Sequence, residues 1–334
     1  MTYEFFYDIK KATKKRNIMP QIKTVYDHIR SNNIKTILLV LLFPMIFIGL
    51  IFLFTLIVAP LNQALETTIQ VAVPTFIVCG IWMLISWAFG DSMMLGAANA
   101  HEINDAQPEY REIFRLVENT ALAAGLPPPR VYIINDDSLN AFATGRSPRD
   151  ASVALTRGII KKLNKSELRG VIAHEMAHIG NRDIRLDMLL ITGVGVTVFI
   201  SDILLRSAMY GTHSSNNENN NNNNAAILLM VWLAFMVFNT LITPLLRMAV
   251  SRNREYAADA TGAHITRDPN ALASALRKIS TDSRVESMDK IKSMATMCIA
   301  NPMKPREFTN ELMATHPPVE KRISRLESMT LKAA

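Results

Sequence analysis

The stretch 166-SELRGVIAHEMAHIGN-181 sets the architecture around it. Asn164 or Ser166 can cap a helix here, and Glu167 places negative charge in its first turn, where the helix dipole favours it. His174 and His178 are four residues apart, about one turn. Both imidazoles therefore leave one helix face and can hold a single zinc ion. Glu175 lies beside them, where a carboxylate can take a proton from activated water and return it to the leaving amine of a cut peptide. Val171 and Ile172 help anchor the helix.

Two histidines leave a catalytic zinc site incomplete, because three protein ligands plus water is the rule. The pattern that adds a third histidine by H-E-x-x-H-x-x-G-x-x-H is excluded, since the corresponding positions are Asn181 and Ile184. The third ligand must come from elsewhere, most plausibly a glutamate on another helix. Downstream candidates are Glu218, Glu255, Glu286, Glu307, Glu311, Glu320 and Glu327. Glu255 is the best placed. The apolar runs that follow His178 form a hairpin, and a hairpin returns the chain to the side it left, bringing 251-SRNREYAADATGAH-264 back to the zinc helix. Glu255 and Asp259 share a helix face. Ala257, Ala258 and Ala260 are small enough for close helix approach. Asp259 can accept the second N–H of a ligand histidine.

Working outward, four apolar runs frame this centre. Residues 37–59 carry no charge and, at about 1.5 Å per residue, cross a hydrocarbon core of about 30 Å. Residues 71–90 form a second span, and residues 188–205 and 226–246 a third and fourth. Asp202, Asn239 and Pro244 interrupt the last two, so a buried hairpin of the catalytic part is the alternative there. Basic segments alternate with non-basic ones along the chain. The N-terminus, residues 91–187 and the C-terminus are thereby expected on the cytoplasmic side.

Composition agrees. The chain of 334 residues is 49% hydrophobic and only 19% charged, against about 25% charged in a typical soluble domain. Its net charge of +7 sits mainly beside apolar segments, which suits lipid headgroups; no nucleic-acid signature accompanies it. Two isolated cysteines, Cys79 and Cys298, form no disulfide framework and read as small buried hydrophobes. The tract 215-SNNENNNNNN-224 cannot bury apolar area and reads as an extramembrane disordered loop.

Between the two hairpins the chain has globular character. Residues 108–125 show helical periodicity ended by Pro127–Pro129, while 131–134, 140–144 and 152–155 read as strands. The expected fold is mostly α and multi-span, with a small β-sheet beside the H-E-x-x-H helix. Its parts are a basic segment (1–35), a first transmembrane hairpin (36–90), a catalytic part (91–187), a second hairpin (188–250) with an Asn-rich loop (214–224), and a C-terminal catalytic part (251–334).

Four ordered motifs, NAFATG (140–145), HEMAH (174–178), SRNREYAAD (251–259) and THPPVEKR (315–322), resemble those of the HtpX-like membrane zinc metalloproteases, relatives of the CAAX prenyl endopeptidases. The resemblance implies a zincin-like catalytic domain and one Zn2+ held by His174, His178 and Glu255, with Glu175 as the base. It also implies that Asp259 orients a ligand histidine and that Arg322 braces Asp259 or the site. By the same likeness Asn140, Ala141, Phe142 and Ala143 form an edge strand that pairs with substrate backbone, and His316 stabilises an oxyanion. The resemblance implies quality control of misfolded membrane proteins, as a multi-pass protein of a bacterial inner membrane with a cytoplasmic active site. A narrow CAAX-type processing enzyme and a catalytically inactive membrane scaffold are the competing readings.

Overall fold

The computed structural model describes residues 25–58, 60–210, 232–233, 235–238, 240, 253–280, 298–299 and 317–333. Two long helices, α1 (Val25–Val58) and α2 (Leu61–Ala97), form a hairpin turning at Pro60. Residues 61–70, which carry no basic residue, are already helical, so α2 is longer than its apolar run. The hairpin turns large apolar side chains outward: Leu41 is 58% exposed, Ile69 70% and Leu84 69%. An exposed apolar surface of this size is rare on a protein surrounded by water. Among the described residues, Leu61–Ala97 is the one helix long and apolar enough to cross a membrane. Phe47 of α1 packs on Phe235 and Phe238, so the described residues of the fourth apolar run lie against this hairpin.

The chain leaves α2 through Asn99, whose positive φ of 49° suits asparagine beyond a helix end. It then builds a four-stranded sheet. The strands are β1 (Ala100–Ile103), β2 (Arg130–Ile134), β3 (Ala141–Thr144) and β4 (Ser152–Thr156), in the order β1-β2-β4-β3. β2 and β4 run parallel, with Val131 opposite Val153, while β1 and β3 flank them antiparallel. Helix α3 (Arg111–Ala123) lies between β1 and β2. β1 had no counterpart among the strands read from sequence.

Alternation along the strands gives the sheet two apolar faces. Val131, Ile133, Ala141, Ala143, Val153 and Leu155 join the core shared with α3 and the catalytic helix. Tyr132, Ile134, Phe142 and Ala154 face the other way, onto Met94 and Leu95 of α2 and Leu186, Met188 and Leu189 of a later helix. The sheet thus stands between the H-E-x-x-H helix on one face and the end of α2 on the other.

After the short α4 (Arg157–Lys162) comes α5 (Lys165–Gly180). Asn164 is its cap: the side chain accepts from Glu167 N–H, and the Glu167 carboxylate accepts from Asn164 N–H, a reciprocal capping box. Glu167 is buried and also accepts from Ser274 and Lys278 of α8. α6 (Asp183–Tyr210), α7 (Asn253–Thr266), α8 (Pro269–Ile279) and α9 (Val319–Ala333) complete the described helices. α6 runs unbroken across the expected boundary between residues 187 and 188. It begins in the core and ends with Val198 and Ile203 outward. Its Asp202 pairs with Arg206 one turn on at 2.8 Å, which explains an acidic residue in an apolar run.

Candidate active site

α5 is buried on almost every side, from Leu168 through Ala177. Helix α7 lies against it at a glycine. A Cβ on Gly262 would stand 3.0 Å from His174 N and 3.2 Å from its Cα. The small residues Ala257, Ala258 and Ala260 permit the approach, but Gly262 is where the two backbones meet. Gly170 plays the same part for α8, where a Cβ would lie 3.2 Å from Leu272 Cα.

This packing brings Glu255 of α7 to His174 and His178 of α5. His174 Nε2 and His178 Nε2 are 3.2 Å apart. Glu255 Oε2 is 3.7 Å from the first and Oε1 3.6 Å from the second. A tetrahedral zinc ion, with bonds of about 2.0–2.1 Å to such atoms, sets its ligand atoms about 3.3 Å apart. The three side chains thus have the spacing of metal ligands. The charge balance points the same way. Five buried carboxylates (Glu175, Asp183, Asp187, Glu255 and Asp259) face two buried guanidiniums, Arg254 and Arg322, and the charged His178 ring. Unbalanced charge is costly away from water, and a dication offsets the excess.

Each histidine is held from behind by a carboxylate that an arginine holds in turn. His174 Nδ1 lies 3.0 Å from Asp259 Oδ1, and Arg322 donates to Asp259 through Nε at 2.8 Å and a terminal nitrogen at 2.7 Å. His178 Nδ1 lies 2.8 Å from Asp183 Oδ2. Arg254 donates to Asp187 at 2.9 Å and to Asp183 at 3.4 Å. Such partners fix the ring and leave Nε2 free for a metal. The resemblance implied that Arg322 braces Asp259 or the site, and the structure pairs it with Asp259; Asp183 and Arg254 were missed. The signals present were an aspartate five residues after His178 and an arginine beside Glu255. The turn that makes the first one useful is Arg182, whose φ of 58° folds Asp183 back onto the helix it follows.

The titration of these groups follows from their surroundings. Burial raises the Glu175 carboxyl to about 7, the range of a base that works near neutral pH. Its carboxylate accepts from backbone Ala143, and Oε1 has no hydrogen-bond partner among the described residues. Burial alone would raise Asp259, but the Arg322 guanidinium outweighs it and holds the carboxyl at about 2. Burial also opposes charge on His178. The bond to Asp183 and the nearby carboxylates outweigh it and lift the ring to about 9.

The residues that the resemblance assigned to substrate lie at β3. Asn140 precedes the strand, and Ala141, Phe142 and Ala143 are in it. β3 is an edge strand by sheet order, but Ile299 N–H donates to Ala141 C=O at 3.0 Å. Phe142 faces the α2 and α6 side, whereas Ala143 lines the pocket with the metal-ligand group. Cys298 lines it too, a residue read from sequence as an inert buried thiol; burial pushes its thiol far up, so it is neutral. His316 lies outside the described residues.

Comparisons with known proteins agree with this geometry. Residues 108–330 match peptidase family M48. A protease HtpX homolog of Thermoanaerobacter pseudethanolicus is 40% identical over 309 residues, covering 92% of this chain and 99% of its own length. One from Ligilactobacillus salivarius is 38% identical over 306 residues, covering 91% of this chain and all of its own length. The crystal structure of Ste24p from S. mikatae is similar with a TM-score of 0.43 at 16% identity, over 90% of this chain and 67% of that one. With these relatives spanning nearly its whole length and the family match enclosing all three metal-competent side chains, the chain belongs to peptidase family M48 and is a membrane-associated metalloprotease.

Proposed function

We propose that this protein is a membrane-embedded zinc endopeptidase that cleaves membrane or misfolded proteins at the cytoplasmic face, in membrane-protein quality control. The observation that carries the reading is the triangle of His174, His178 and Glu255 atoms, 3.2–3.7 Å on a side, with Glu175 buried next to it. A zinc ion held there supplies a Lewis acid and lowers the pKa of water at the site. Glu175 takes the proton from water and returns it to the leaving amine. Asp259 with Arg322, and Asp183 with Arg254, keep the two imidazoles oriented. Asn140 to Ala143 offer an extended substrate a strand edge, with Ala141 C=O as an acceptor. Ile299 holds that acceptor in the structure, so pairing there exchanges one backbone bond for another. His316 is assigned to oxyanion stabilisation. The alternation of basic and non-basic segments supports the cytoplasmic assignment.

The test is cleavage of an unfolded protein such as casein by detergent-purified, zinc-restored enzyme beside Glu175→Gln. The expected result is cleavage by the wild type and a loss of about 10²–10⁴-fold in the variant, with zinc content unchanged. Equal cleavage by both overturns Glu175 as the base. Zinc-loaded wild type that leaves casein intact but cuts a prenylated C-terminal peptide overturns the broad substrate range.

A further inference from the structure

Asp183 orients His178, but a carboxylate bonded through one oxygen can still swing about its own axis. Its other oxygen, Oδ1, is therefore the point to follow. Arg254 reaches Oδ1 at only 3.4 Å and gives its shorter bond to Asp187. The short contact comes from a distant part of the chain: Asn32 Nδ2 donates to Asp183 Oδ1 at 2.6 Å. The same amide nitrogen donates to Asn181 C=O at 3.0 Å, the carbonyl at the C-terminal cap of α5. Both partners are acceptors, so the amide must turn its NH2 toward them. Asn32 is 3% exposed, deep for a neutral polar side chain.

We propose that Asn32, near the start of α1, is a positioning residue for the metal ligand His178, acting through Asp183. This rests on the metal-site reading above. One side chain joins the end of the ligand-bearing helix to the carboxylate behind its second histidine. A residue that only capped α5 would need Asn181 C=O alone. The amide adds no charge, so it locks Asp183 without altering the balance that favours a dication. Arg185 of α6 donates to Asn33 at 2.5 Å, so this turn of α1 is also tied to α6, while Thr36 Oγ1 donates to Asn32 C=O at 2.8 Å within the helix. The apolar run begins at residue 37, about 7.5 Å further along the helix. α1 is by this account part of the metal site's support, and its displacement loosens His178.

The experiment uses full-length protein in detergent, comparing wild type, Asn32→Ala, Asn32→Asp and, as a neighbouring control, the exposed Ile34→Ala. Zinc affinity is read by competition with a chromogenic chelator, and ligand geometry from the absorption of cobalt-loaded protein. Thermal unfolding in excess chelator runs in parallel. Asn32→Ala is expected to bind zinc about tenfold more weakly and to change the cobalt spectrum. Asn32→Asp keeps the shape but sets carboxylate against carboxylate, and is expected to be at least as weak. Ile34→Ala is expected to match the wild type. If Asn32→Ala does not fold, Asn32→Ser takes its place with the same expectation. Asn32 variants that melt earlier yet keep wild-type zinc affinity and cobalt spectrum overturn the proposal, leaving a structural cap. A wild type that takes up no zinc overturns the metal-site reading and the proposal together.

Discussion

Helices α2 and α5 are both apolar along much of their length and face opposite solvents. In α2, Ile69, Ile77, Ile81 and Leu84 are each more than half exposed. In α5, Val171, Ile172 and Ala173 are wholly buried, and His174 and Glu175 are buried with them. The first has the length and composition of a helix that crosses a membrane; the second is apolar because protein surrounds it. Only the second environment can hold ionisable groups in place, since neighbouring helices supply Asp259, Asp183, Arg322 and Arg254 as partners. A lipid-facing surface has no such partners to offer.

The sharpest way to break this comparison is to truncate one residue on each helix. Ile172→Ala is expected to cost about 2–5 kcal/mol, since a packed site cannot collapse around the lost atoms. Ile81→Ala, measured in the same detergent by thermal unfolding, is expected to change stability far less. Equal costs would mean that α2 is buried in a protein interface. A second substitution reverses the ranking. Ile81→Arg is expected to oppose membrane insertion by about 3 kcal/mol in a glycosylation or protease-protection assay, while zinc binding by the inserted fraction stays unchanged. Insertion equal to wild type would place that face of α2 against protein or water.

The smallest effects concern the start of α5, which has to be built from protein groups because no bilayer covers it. Asn164→Ala removes the cap and is expected to cost about 1 kcal/mol by chemical denaturation. Glu167 adds a pH signature. Burial alone would raise its carboxyl, but the bonds from Lys278, Ser274 and the Asn164 backbone outweigh it and bring the value below the ordinary 4.5. A lowered folded value means stability that is present above 4.5 and lost as pH falls through the folded value. The wild type should therefore be more stable than Glu167→Gln at neutral pH, and the gap should close below pH 4.5. A gap constant with pH would show that Glu167 acts by shape alone.

Much of this arrangement was legible in the residues. The capped helix, the spacing of His174 and His178, and the return of Glu255 and Asp259 to that helix all follow from local period and chain direction. Three strands were visible as short β-branched or alternating runs. β1 was not: His101 and Glu102 in AHEI are exposed, and only pairing with β2 makes the segment a strand. Asp183 and Arg254 were not legible, because nothing in their spacing announces burial. Asn32 lay in a segment that composition marked only as basic.

What the sequence by itself determined is the chemistry at one helix face. An α-helix repeats in under four residues, so H-E-x-x-H must present two imidazoles and a carboxylate together, whatever surrounds them. Tertiary structure decided which groups stand behind those ligands. Asn32 and Asp183 are 151 residues apart, and Arg322 and Asp259 are 63 apart. Contacts at such separations depend on the path of the whole chain through a packed core and a membrane, and no local period encodes that path.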